Sequence, residues 1–248
     1  MLNSQFKRWI VLTIMIGAFV VLIANMSWWE TALRLFFPSE SQVIHPRASL
    51  LVLVGEHLKL VIISSSFTIL IGVPVGIWVT RPSGRNFLPI VTDVTSFGQT
   101  FPPIAVLALA VPMLGFGLWP TVVALFLYGL LPIVRNTIAG LRAVPGNILD
   151  AAYGIGMSRM QALVRIEIPL AVRVIMAGVR ISVIINIGTA MIGAVIGAGG
   201  LGSPIVAGLV QDNIAYIIEG AIPAAILAVL ADHLLANVEG IFAYSADK

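Results

Sequence analysis

Residues 150–169, DAAYGIGMSRMQALVRIEIP, form the one long polar interruption in an otherwise apolar chain. Five arginines (Arg135, Arg142, Arg159, Arg165 and Arg173) lie in or beside this stretch, against Asp150 and Glu167. The residues read as two short helices with a hinge. Asn147 is placed to cap the first helix, with Asp150 at its third position, where a carboxylate suits the positive helix end. Gly154 and Gly156 weaken the helix on either side of Ile155. Ser158 and Gln161 have capping-box spacing for the second helix. Pro169 disfavours its continuation. Met160, Leu163 and Val164 make an apolar stripe at i, i+3 and i+4. A hairpin of this kind, suspended between oily segments, needs something to pack against. The alternatives are a partner protein and the lipid headgroups.

Working outward, the flanking sequence is membrane-like throughout. Hydrophobic residues make up 59% of the chain and charged residues 10%, with a mean hydropathy of +1.04. A soluble domain carries about 25% charged residues. The composition therefore predicts an all-α polytopic membrane protein with about six transmembrane helices. We expect spans at residues 9–24, 58–79, 87–111, 118–134, 174–196 and 214–235. Lys7 and Arg8 precede the first, which is read as an uncleaved span because Ala24-Asn25-Met26 makes a poor cleavage site. Residues 30–57 form an outside segment whose apolar piece 50–54 lies on the membrane surface or against the bundle. Pro102-Pro103 breaks or bends the third span, and residues 115–117 and 197–202 are outside turns. Three regions result: 1–57, a first helix and outside segment; 58–235, the transmembrane core; and 236–248, a cytoplasmic tail.

Charge gives the orientation. Ten basic residues fall on the proposed inside (Lys7, Arg8, Arg81, Arg85, Arg135, Arg142, Arg159, Arg165, Arg173, Lys248) and three outside or at its boundary (Arg34, Arg47, Lys59). This bias places both termini and the 150–169 stretch in the cytoplasm. It also accounts for the net charge of +3 without nucleic acid.

Enzymatic constellations are missing from the pattern. None of the three lysines follows a glycine, so there is no P-loop. The three histidines lack zinc spacing, and the chain has no cysteine. Gly156-Met157-Ser158 is only half of a nucleophile elbow, because Met160 stands where the second glycine belongs. Polar residues inside spans each need a reason. Asp93 and Arg180 are read as an internal ion pair. Gln99, Asn186 and Thr189, with Phe101, are candidates for lining a translocation path. No tight aromatic cluster is evident within the spans.

The 150–169 stretch resembles the cytoplasmic signature of permease subunits of binding-protein-dependent ABC importers. That signature is Glu-Ala-Ala, three residues, Gly, nine residues, Ile, any residue, Leu, Pro. Asp150, Ala151, Ala152, Gly156, Ile166, Ile168 and Pro169 match its spacing, with Asp150 for Glu and Ile168 for Leu. The resemblance implies a type I importer permease fold. It also implies that the loop at 135–173 is a coupling helix docked on an ABC ATPase, and that these seven residues couple its motion to alternating access. Residues 98–103, 127–137 and 196–202 look like the osmoprotectant branch, serving glycine betaine, carnitine, choline and related quaternary amines. The implied partners are ATPase subunits holding ATP and magnesium, a second permease of the same or a related chain, and an extracytoplasmic binding protein. The implied location is the bacterial inner membrane, and this chain itself is not an enzyme and binds no cofactor. The alternatives are a permease for another small solute such as an amino acid, and a secondary transporter, although no internal repeat supports the latter.

Overall fold

The computed structural model describes residues 2–46 and 48–246, with side chains over 5–46 and 48–242. Arg47 and Lys248, both used in the charge count, lie outside the described residues. Eleven α-helices occur among the described residues: α1 Leu2–Ala24, α2 Met26–Phe36, α3 Leu50–Thr80, α4 Leu88–Thr100, α5 Pro103–Leu114, α6 Leu118–Arg142, α7 Gly146–Gly154, α8 Arg159–Ala162, α9 Ile168–Thr189, α10 Gly202–Gln211 and α11 Ile214–Ala246.

Five helical stretches are long and apolar enough to cross a membrane: Gln5–Ala24, Leu50–Val79, Leu118–Arg142, Arg159–Ile196 and Ile214–Phe242. The pair α4 and α5 is long and apolar enough only when taken together, and is bent by 96° at the break, which makes the count five spans, or six with the pair as one broken span. Pro102 and Pro103 lack the N–H groups that would carry the helix through this point. The expected break is therefore present, and sharper than a kink.

The core is built on α6, which packs along both α3 and α9. α11 packs on α9, α10 on α11, and α1 touches α11 and the start of the bundle. Small residues let these backbones approach, as membrane helices require when lipid supplies no hydrophobic drive. A methyl group on Gly129 of α6 would lie 2.4 Å from Ser182 Oγ, and one on Gly178 of α9 would lie 2.6 Å from Asn136 Cβ.

Several expectations are corrected. Residues 50–54 are not a surface piece but the first turns of α3, with Leu50, Leu53 and Val54 buried. Buried Glu219 on α11 holds the preceding segment down, accepting the backbone N–H of His45 at 2.8 Å. Helix α3 thus runs across the boundary drawn between 57 and 58, and α11 runs across the one drawn between 235 and 236. Between the expected turn at 197–202 and the last span, a stretch the sequence reading left unassigned forms the short helix α10. Arg180 does not pair with Asp93. It forms a two-pronged ion pair with Asp232 of α11, 2.5 and 2.7 Å, with Glu239 at 3.8 Å. The α9–α11 contact puts these groups side by side, whereas Asp93 lies on the exposed side of α4.

Candidate coupling loop and translocation face

The hairpin between α6 and α9 gets its shape from a few local rules. α7 starts at Gly146, after Pro145 (φ −62, ψ 134) as its cap. The Pro145 carbonyl accepts from Ile148 at 3.1 Å and Leu149 at 3.5 Å. Asn147 is therefore inside the helix rather than its cap, and Asp150 is in the second turn. At the other end, Gly156 has φ +87. Its N–H donates to the Tyr153 carbonyl at 3.0 Å, and the Met157 N–H reaches back to the Ala152 carbonyl at 3.1 Å. These two bonds, with a left-handed glycine between them, are a Schellman termination. The Ala-Ala-x-x-x-Gly spacing thus has a physical content. Ala152, buried, supplies the carbonyl that closes the motif, and Gly156 supplies the backbone angle. Nothing lies within 4 Å of a methyl group placed on Gly156, so its need is conformational and not steric.

The capping box forms as expected. Gln161 N–H donates to Ser158 Oγ at 3.3 Å, and Ser158 N–H donates to Gln161 Oε1 at 2.8 Å. The helix then widens into a π-helical turn over Leu163–Glu167. That turn corrects the expectation for Pro169, which is the second residue of α9 and does not end the helix. In a regular α-helix its ring would collide with a carbonyl one turn back, and the widened turn gives it room. The proposed apolar stripe divides: Leu163 is buried, while Met160 and Val164 are exposed. Ile166 and Ile168 are half-buried, and Asp150, Ala151 and Pro169 are exposed.

Glu167 is the residue the sequence reading passed over. It is 3% exposed and accepts from both terminal nitrogens of Arg81, at 2.8 and 2.6 Å. Arg81 caps the C-terminal end of α3 and also donates to Thr80 Oγ1 at 3.0 and 3.1 Å. This bidentate, charge-assisted pair fastens the end of the hairpin to the end of α3. A cavity of about 780 Å³ opens beside it, lined in part by Arg81, Arg142, Arg159, Tyr153 and Met157. Ile155, 78% exposed, and Tyr153 project an apolar tip from the loop. The arrangement presents a rigid, knobbed surface held between two spans.

The four path candidates are not gathered in one place. Asn186 is fully buried and donates to Ser65 Oγ at 3.1 Å and Ser64 Oγ at 3.4 Å, between α9 and α3. Such a bond across helices stands within the chain. Gln99, Phe101 and Thr189 are half-buried. At the α4–α5 break, Phe101 stacks obliquely on Phe97, ring centres 5.5 Å apart. The Tyr128 hydroxyl of α6 donates to the Phe101 carbonyl.

A bundle of long apolar helices, with a helix pair broken at Pro102-Pro103 and a stiff polar hairpin between α6 and α9, is the frame of a polytopic membrane protein. The family of binding-protein-dependent transport system inner membrane components matches over residues 72–243, and the chain belongs to it. ATP hydrolysis in this family falls to a separate subunit, so this chain is a transport subunit and not an enzyme. The chain is 44% identical over 190 residues to the osmoprotectant import permease protein OsmY of Salmonella typhimurium, covering 77% of this chain and 80% of that one. It is 43% identical over 185 residues to the glycine betaine/carnitine/choline transport system permease protein OpuCB of Bacillus subtilis, covering 75% and 84%. It is 42% identical over 192 residues to the carnitine transport permease protein OpuCB of Listeria monocytogenes, covering 77% and 87%. A chain of the inward-facing MetNI methionine ABC transporter has the same fold, with a TM-score of 0.65 at 24% identity over 79% of this chain and 95% of that one.

Proposed function

We propose that this chain is the permease of an ATP-driven importer of quaternary-amine osmoprotectants such as glycine betaine, choline or carnitine. The loop at 135–173 receives the ATPase, and Asp150, Ala151, Ala152, Gly156, Ile166, Ile168 and Pro169 give it its shape. The observation that carries the coupling reading is the built hairpin: a Schellman-terminated α7, a capping box, and a buried ion pair to α3. A loop that merely floated on headgroups would not need a buried ion pair. The names of the relatives support the substrate class. A loaded binding protein docks outside, two permease chains frame the path, and ATPase subunits holding ATP and magnesium push the loops. This reading keeps both termini and the loop in the cytoplasm.

Orientation has a direct test, since the chain has no native cysteine. A cysteine replacing Asn147 in the loop is expected to react only from the cytoplasmic side. One replacing Phe116, exposed in the α5–α6 turn, is expected to react only from outside. Reaction of both from one side would overturn the topology. Gly200 is a poorer probe because its φ of +78 and its contact with His57 make any side chain strained there.

The substrate reading is tested by reconstitution. Vesicles containing the permease pair, the ATPase and the binding protein are expected to accumulate glycine betaine or choline only with internal ATP. The permease pair alone is expected to show no saturable micromolar binding by calorimetry, because a solute held firmly midway would not leave. Tight capture then belongs to the binding protein, where aromatic faces can enclose the cation. A micromolar isotherm on the permease alone, abolished by changing Gln99, would move recognition into the spans.

A further inference from the structure

The face of α4 turned away from α6 has a composition that lipid does not explain. Asp93 and Phe97 stand one turn apart and exposed on this face, while Phe101, the extended cap beyond the helix, is half-buried against Val106, Leu107 and Ala124. Asp93 is exposed, and among the described residues it makes no hydrogen bond or ion pair. Arg135 of α6 is directed to Ser96 Oγ on the same helix, at 3.1 Å. Phe97 is 65% exposed and packs against Phe101 at the break. A bare carboxylate on a membrane-crossing element does not face hydrocarbon; it faces water or protein. Its neighbour one turn on is the exposed ring of Phe97, and the face of such a ring attracts cations. Phe97 lies in the last turn of α4, where the helix dipole adds partial negative charge. The hydrogen bond from Tyr128 to the Phe101 carbonyl fixes the shape of the break. Broken helices at mid-membrane commonly supply solute contacts of this kind.

We propose that Asp93 and Phe97, with Phe101 backing the Phe97 ring, form a weak transit site for the quaternary ammonium group of the solute on its way past this subunit. The inference rests on the quaternary-amine reading above. The exposed ring and the carboxylate are one helical turn apart, so the cation passes from ring face to carboxylate without enclosure. One open ring beside a carboxylate gives attraction without the tight hold of a cage, and the solute can leave.

The complete transporter in proteoliposomes tests this with choline as the probe. If the parent complex accumulates no quaternary amine, the substrate reading fails, and that outcome is visible before any variant is made. Given uptake by the parent, Phe97→Leu is expected to lower the maximal uptake rate by about two- to thirtyfold, the range of a cation–ring contact. The half-saturating concentration, set by the binding protein, stays unchanged. Phe97→Tyr keeps the ring face and is expected to retain most of the rate. Asp93→Asn is expected to slow uptake, and Asp93→Glu to restore much of it. Equal rates for parent and Phe97→Leu would overturn the proposal. So would equal damage from Phe97→Leu and Phe97→Tyr, since packing rather than the ring face would then be at stake. Loss of the permease pair on purification of Phe97→Leu would assign the face to the subunit contact and overturn it as well.

Discussion

Replacing Gly156 by alanine or leucine is expected to leave the subunit folded in the membrane and to cut ATP-driven uptake about tenfold. The argument is one of backbone angle. At φ +87 a residue with a side chain sits in the left-handed region, at a cost of about 1–2 kcal/mol. A penalty of that size moves a conformational equilibrium by roughly a factor of ten. The equilibrium at stake is the Schellman turn that ends α7 and sets the direction of the Tyr153–Ile155 tip. Space around Gly156 is open, so alanine and leucine are expected to do equal harm. Asparagine tolerates the left-handed region better and is expected to fall between them and glycine. The measurement is solute accumulated per ATP hydrolysed in reconstituted vesicles. If alanine is harmless while leucine abolishes uptake, the glycine is there to let a partner approach, and the backbone argument is wrong.

The sequence carried this motif legibly in one respect and not in another. The spacing from Ala152 to Gly156 and from Ser158 to Gln161 depends only on near neighbours, so the hairpin and its capping box could be read directly. The span count and the break at Pro102-Pro103 were legible for the same reason, since composition and missing N–H groups act locally. The start of α7 was misread because Asn147 is a good cap in isolation, while Pro145 and Gly146 bring the first turn forward. The partner of Arg180 was misread because depth alone cannot choose between acids. Asp93 and Asp232 both fall toward the expected cytoplasmic ends of their spans in sequence, and the α9–α11 contact decides for Asp232. Asn186 was placed on a path because it is polar and within a span, yet close packing of α3, α6 and α9 encloses it. Phe97 was overlooked because only the bend at the break brings its exposure and its stacking on Phe101 into view. No alternation or helical period records a bend of 96°.

Glu167 was invisible for a further reason, and it carries the second large expected effect. It occupies the position the signature leaves free, so the resemblance is silent about it. Eighty-six residues separate it from Arg81, so no local pattern links them. In the structure the pair joins the C-terminal end of α3 to the widened turn that leads into α9. A push on the loop therefore reaches two spans at once, α9 through the chain and α3 through the ion pair. Glu167→Gln leaves the partly exposed Arg81 guanidinium facing a buried neutral amide. Breaking a buried pair from one side costs about 3–5 kcal/mol, and the lower end applies because Arg81 is partly exposed. We expect the single variant to denature at lower temperature in detergent and to transport at a small fraction of the parent rate. Stability and transmission separate in the double variant with methionine at both positions. Apolar replacement of both partners is often nearly neutral in stability, so the double variant is expected to regain most of the thermal resistance. It lacks the directed link, and solute moved per ATP is expected to stay several-fold low, on the order of the tenfold that 1.4 kcal/mol represents. A double variant that is both stable and fully coupled would reduce the pair to a packing element, and a Glu167→Gln subunit as stable and active as the parent would remove it from the mechanism altogether.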